Sequence, residues 1–123
     1  VVEKAGRKIG IVGLLTDLSD VVSSEVSLAI KYKEPKDVLN LYAAELKSKG
    51  CDLVIALTHL GYEGEAYTDF ELASVTTNVD IIVGGHSHTQ LKEYGKTVNP
   101  DGRKVIIVTD GKWGLNIGKL TVK

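Results

Sequence analysis

Three apolar runs constrain this chain most: "KIGIVGLL" at residues 8–15, "LVIALTH" at 53–59 and "DIIVGGH" at 80–86. Each is short, rich in apolar and β-branched residues, and bounded by glycine or polar side chains. That is the pattern of a buried strand. A helix is predicted between the first two runs, from Pro35 to about Lys49. Proline suits the first helical turn, where its missing N–H is not needed. Val38, Leu39, Tyr42 and Leu46 recur at helical spacing, and Gly50 stands where a left-handed cap closes the helix. "DFELASVTT" at 69–77 predicts a shorter helix. Strand and helix alternating in this way predict an α/β (α+β) fold: a mixed, mostly parallel sheet with flanking helices.

The remaining segments are less regular. "TDLSDVVSSEVS" at 16–27 reads as a polar loop and "LAIKYK" at 28–33 as a short exposed strand. Asn99, Pro100, Asp101 and Gly102 predict a turn. "VIIVTDG" at 105–111 and "LNIGKLTVK" at 115–123 read as closing antiparallel strands. The length, 123 residues, suits one domain with a sizeable core.

Composition narrows the function classes. Net charge is −1 with no basic block, so nothing points to nucleic acid or a charged membrane surface. No apolar run approaches the ~20 residues that span a bilayer. Cys51 is the single cysteine, which excludes an internal disulfide and a thiolate metal cage; it reads as a small core residue. The opening "VVEKAGRK" is polar within three residues and no methionine occurs. The expectation is a processed chain, or a piece of something longer, without a signal peptide.

The histidines carry the chemistry. All three, His59, His86 and His88, follow apolar runs. In open α/β sheets, sites gather at the carboxyl ends of the strands. If the second and third runs are neighbours, the three imidazoles converge there, and imidazole is a common transition-metal ligand. Gly84 and Gly85 let the backbone turn sharply and approach closely. Taken singly, a histidine after a strand is most often a loop residue. It is the coincidence at one edge that reads as a metal site. No fourth ligand is evident, against the four closed ligands of a structural zinc site.

Other positions read both ways. Ser87 hydrogen-bonds a phosphate, supports a neighbour or, the plainer reading, is simply small enough for its turn. Asp69 reads as a helix start. Trp113 reads as partly buried at a sheet edge, with base stacking as the other possibility. Lys112 is a phosphate attractor or solvated surface. No dinucleotide fingerprint, phosphate-binding P-loop or Gly-x-Ser-x-Gly elbow occurs.

"THLG" at 58–61 with "GGHSHT" at 84–89 resembles the second half of a calcineurin-like metallophosphoesterase domain, in the 5′-nucleotidase and 2′,3′-cyclic phosphodiesterase branch. "KIGIVGL", "DFELAS" and the closing "VTDGKWGLNIGKLTVK" fit as well, so the resemblance covers nearly all of residues 1–123. It implies half of a four-layer αββα sandwich. It also implies two divalent ions (zinc, manganese or iron) that activate a water and stabilise the leaving oxygen of a phosphoester. His59 and His86 would share one ion and His88 would take the other. Alternation along an extended segment would let His86 and His88 face the same way. The family's Asp-x-His, Gly-Asp and Asn-His-Glu motifs are absent, so no catalytic residue is assigned and the substrate-binding residues stay open. The family's nucleotide-specificity domain is absent too.

The implied function is a 5′-nucleotidase-like, metal-dependent hydrolase of nucleotide phosphoesters, active only when completed by the missing N-terminal half. That half would lie in the same native chain or in a partner; an extracytoplasmic location, periplasmic or cell surface, is implied with it. The other expectation is a catalytically inactive metal-binding or structural module. Without the first half the sheet would expose an apolar face, which predicts a homodimer, a domain swap or a partner.

Overall fold

A computed structural model describes residues 1–19, 21–64 and 67–122. The elements run β1 (Val2–Lys4), β2 (Arg7–Leu15), α1 (Ser24–Ala29), α2 (Pro35–Ser48), β3 (Leu53–His59), α3 (Asp69–Val75), β4 (Ile81–Val83), β5 (Gly95–Val98) and β6 (Lys104–Val108). They form an α/β fold with one six-stranded mixed sheet, ordered β1-β2-β3-β4-β6-β5. The central strands β2, β3, β4 and β6 are parallel, and the edge strands β1 and β5 are antiparallel to their neighbours.

The three apolar runs therefore become adjacent parallel strands. Their registers are Ile11 beside Ile55 and Ile55 beside Ile81. The side chains of the other parity, Val12, Leu14, Val54, Ala56, Ile82, Val105 and Ile107, make the core with Leu39 and Ala43 of α2 and Leu72 and Ala73 of α3. Helix α2 starts with Pro35 in its first turn, as expected, and Gly50 follows it at φ +80°. Cys51 is buried in the same core. Asp80 fixes the start of β4: its carboxylate accepts from Val54 N–H at 2.8 Å and from Lys47 Nζ at 2.9 Å.

Several expectations are corrected. Part of the polar stretch 16–27 is helical. Ser23 caps α1, accepting from Val26 N–H at 3.4 Å, and the helix runs on into the segment expected to be an exposed strand. Asp20, inside that stretch, lies outside the described residues. No residue of α1 is buried, so the apolar spacing that announces a helix is missing there. Tyr42 is not in the core; Ala43 takes the contact, a small side chain that lets α2 approach the sheet closely. β4 is only three residues long, because the chain turns at Gly84. Residues 115–122 form no strand, and Lys123 lies outside the described residues. β1 and β5 are additional. β1 pairs through a two-residue turn, Ala5–Gly6, both at positive φ, the conformation tight hairpins favour. β5 pairs with β6 through the expected turn, where Gly102 N–H donates to Asn99 O at 2.9 Å. β6 itself is parallel to β4, not a closing antiparallel strand.

The helices cover only one face. On the other, Ile11, Leu15 and Leu57 are exposed beside the half-buried Ile55, Val83, Ile106 and Val108. Ile81, on the same face by register, is buried, so the face is partly covered; the apolar part left open still drives association. We expect dye-accessible apolar surface, and sedimentation that shifts to larger species as concentration rises. A well-behaved monomer at high concentration would contradict this. No helix among the described residues is long and apolar enough to cross a membrane.

Candidate metal centre

β3 and β4 are parallel neighbours, so the segments leaving their carboxyl ends meet. His59 is the last residue of β3, on the open face of the sheet; His86 lies three residues past the end of β4. Their rings sit edge to face with centroids 4.9 Å apart. Both are exposed. Two imidazoles from separate segments, this close and open to solvent, are a pair that can share an ion.

Close backbone approach makes the pair possible. A Cβ on Gly85 would come within 3.3 Å of His59 Nδ1. A Cβ on Gly84 would overlap Asp69 Oδ2 and lie 3.1 Å from Asp69 Cγ. Glycine at both positions is explained by this crowding.

The turn after Gly85 is strained. Ser87 N–H donates to Gly85 O at 3.1 Å, closing a three-residue turn with His86 at its centre, at φ +76°. That sign belongs to the rare, strained γ-turn. His88 also has positive φ, +57°. The segment is thus not extended, and simple alternation does not place His86 and His88 on one side. Non-glycine residues at positive φ cost about 1–3 kcal/mol and collect at functional sites. Among the described residues, no group of three His, Cys, Asp or Glu side chains could hold a metal ion. The structure brings His59 and His86 together and does not add His88 to them.

The two loops are tied by a network that spacing does not reveal. Tyr62 N–H donates to Ser87 Oγ at 3.0 Å. Ser87 Oγ shares a hydrogen bond with Thr89 Oγ1 at 2.8 Å, and Thr89 Oγ1 donates to Glu63 Oε1 at 3.1 Å. Ser87 therefore holds its own turn against the loop after β3. Trp113 corrects the expectation of partial burial. It is 80% exposed, and Lys112 Nζ lies 4.2 Å above its ring, because no strand follows to cover it.

Asp69 does more than start α3. Thr68 is the N-cap, completing a reciprocal pair with Glu71, while Asp69 is fully buried beneath the two loops. Its Oδ1 accepts from Thr58 Oγ1 at 2.5 Å, and its Oδ2 has no hydrogen-bond partner. Burial pushes its pKa up to about 6, against a smaller lowering by the Thr58 hydroxyl. The sign follows from linkage. The folded group keeps its proton where the unfolded group has lost it, so stability falls as pH rises from about 4 to 6 and then levels. Asp69→Asn should remove that fall, a difference on the order of 2 kcal/mol after allowance for relaxation. Urea midpoints at pH 4 and 7 for both proteins check it; equal pH dependence would contradict it.

No protein-family model matches the chain. A probable 5′-nucleotidase of Treponema pallidum is 27% identical across 99% of this chain, which spans 22% of that protein. An apyrase of Tabanus yao is 32% identical across 99% of the chain, which spans 24% of it. In the crystal structure of a 5′-nucleotidase precursor from Thermus thermophilus, 89% of this chain superimposes with a TM-score of 0.74 and 31% identity, on 23% of that protein. The chain is related to 5′-nucleotidases and apyrases. It spans roughly a quarter of the length of these relatives.

Proposed function

We propose that residues 1–123 are the C-terminal half of a metallophosphoesterase domain, half of a four-layer αββα sandwich, acting on nucleotide phosphoesters when the N-terminal half is present. The observation that carries this reading is the edge-to-face pair of His59 and His86, with His86 held in a strained turn at a parallel sheet's carboxyl edge. Two exposed imidazoles are suitable donors for zinc, manganese or iron. The reading assigns His59 and His86 to one ion and His88 to a second, with the remaining ligands from the missing half. When bound, such ions supply Lewis acidity and an activated water.

This chain's own part is binding and orientation. His59 and His86 present their rings from adjoining strand ends, and the Tyr62–Ser87 tie keeps the two loops in register. Beside Gly84 a cleft of about 670 Å³ carries Lys92, Lys96 and Lys119, offset in part by Glu93 and Asp110. None of the three histidines lines it, so it is not assigned to the phosphoester. No residue here is assigned as the catalytic acid, and the nucleotide-specificity domain belongs elsewhere in the longer protein. An extracytoplasmic location, periplasmic or cell surface, is part of the same proposal.

A second reading is a catalytically inactive metal-binding or structural module that holds at most one weakly bound ion on the His59–His86 pair. The test separates the two. Reading the coding DNA upstream of Val1 should reveal Asp-x-His, Gly-Asp and Asn-His-Glu motifs in frame or in a separate gene. In the completed protein, His86→Ala and His88→Ala should lose metal and phosphoesterase activity together. Full activity in both variants would overturn the first reading.

A further inference from the structure

We propose that Asp69 is the positioning residue of the histidine pair, a buried clamp that holds the end of β3 and the turn after β4 at one separation. The inference deepens the metal-centre reading and rests on it for its functional meaning. Three contacts converge on this one side chain and its backbone. Oδ1 accepts from Thr58, the residue before His59, at 2.5 Å. The carboxyl group bears on Gly84, two residues before His86, so closely that no Cβ fits between them. The Asp69 N–H donates to Gly61 O at 2.7 Å, which fixes the loop leaving His59. One residue at the start of α3 thereby contacts both histidine-bearing segments, and its carboxyl group hydrogen-bonds neither ring.

An alternative acceptor shows why the carboxylate is needed. Thr58 Oγ1 also lies 3.5 Å from Val83 O, too long for a good hydrogen bond, so without Asp69 the hydroxyl has no close partner. Thr58 is buried, and a buried hydroxyl left unpaired rotates or draws its strand aside to find one. Its movement is passed directly to His59. On the other side, losing the carboxyl group leaves a void against Gly84 and frees the Gly85–His86 turn to relax its strain.

The test compares Asp69→Ala, Asp69→Asn and Leu72→Ala in the 123-residue chain. Leu72 is a fully buried residue of the same helix and serves as the control for lost stability. Two readouts are followed: the ring-proton NMR shifts of His59 and His86 without metal, and Co(II) affinity by visible absorption. Asp69→Ala should move both ring signals and weaken Co(II) about 10- to 100-fold, the usual range for residues that orient a ligand. Asp69→Asn keeps an acceptor for Thr58 and should stay near wild type. Leu72→Ala should lower the melting temperature and leave both readouts in place. If Asp69→Ala does not fold, Thr58→Val breaks the same bond from the other end with its shape kept, and the same shifts are expected. Unchanged rings and Co(II) affinity on losing this bond would overturn the proposal, as would equal effects from Leu72→Ala. If His86→Ala leaves Co(II) binding intact, the metal reading fails instead, and the metal-free ring shifts still decide the role of Asp69.

Discussion

Gly84→Ala is expected to destabilise the chain by about 3–5 kcal/mol, and Asp69→Ala in the same molecule to recover much of that loss. The added methyl would overlap Asp69 Oδ2 and meet Cγ at 3.1 Å. Neither partner yields easily: Asp69 is fully buried in the first turn of α3, and Gly84 is fixed by its N–H, which donates to Val108 O at 2.8 Å. Overpacking alone costs about 1–3 kcal/mol. Pushing the carboxyl group aside also breaks its bond with Thr58, a charge-assisted hydrogen bond of about 1.5–3 kcal/mol. Total domain stability is only about 5–15 kcal/mol, so the single variant should be visibly impaired. Urea unfolding of the four proteins in this cycle measures the coupling, expected at about 1–3 kcal/mol. Strictly additive penalties, or a Gly84→Ala protein as stable as wild type, would refute the close contact.

Loss of either His59 or His86 should lower the chain's affinity for a divalent transition metal about 100-fold, whereas His88→Ala should change it only a few-fold. The rings of His59 and His86 are 4.9 Å apart, and two donors on one ion act together. Removing one leaves a single exposed imidazole, no better than any surface histidine. The close ring contact at this site joins His59 and His86 and leaves His88 out, so in this chain by itself His88 has little to add. A competition titration with a chromophoric chelator reads all three variants. Equal losses for the three would mean that His88 shares the ion and would contradict a two-histidine pair. The His86 backbone offers a further check, because Gly at φ +76° relieves strain that Ala retains. His86→Gly should therefore be at least as stable as His86→Ala while binding metal as poorly.

The parallel centre of the sheet is legible in the sequence because three apolar runs need burial and leave little other choice. Helix α2 is equally plain, with Pro35 at its start and Gly50 at its end. What the sequence conceals are elements without apolar periodicity. Helix α1 buries nothing, so only its Ser23 cap announces it. β5, "GKTV", is short and half exposed, and is set by the turn that follows it. The end of the chain shows the opposite error: "LNIGKLTVK" has strand composition, yet its described residues, 115–122, form no strand, and Ile117 is 96% exposed.

At the site, strand order brings His59 and His86 together because carboxyl edges of neighbouring parallel strands must meet. Alternation misplaces His88 because a γ-turn begins where an extended segment is expected. In the sequence, Asp69 reads as a helix start, and Ser87 as a small turn residue before it reads as a hydrogen-bonding one. A carboxylate in the first turn of a helix looks the same in sequence whether it faces water or the sheet. Its contacts with Thr58 and Gly84 bridge separate loops, and no spacing rule reports them.

Histidine-ring NMR during a zinc titration asks of the chain itself whether His59 and His86 act as one ligand pair. The ring nitrogens of His59 and His86 should shift together, saturating at one ion per chain, with His88 following weakly or not at all. Rings that stay still, or a response confined to His88, would contradict it.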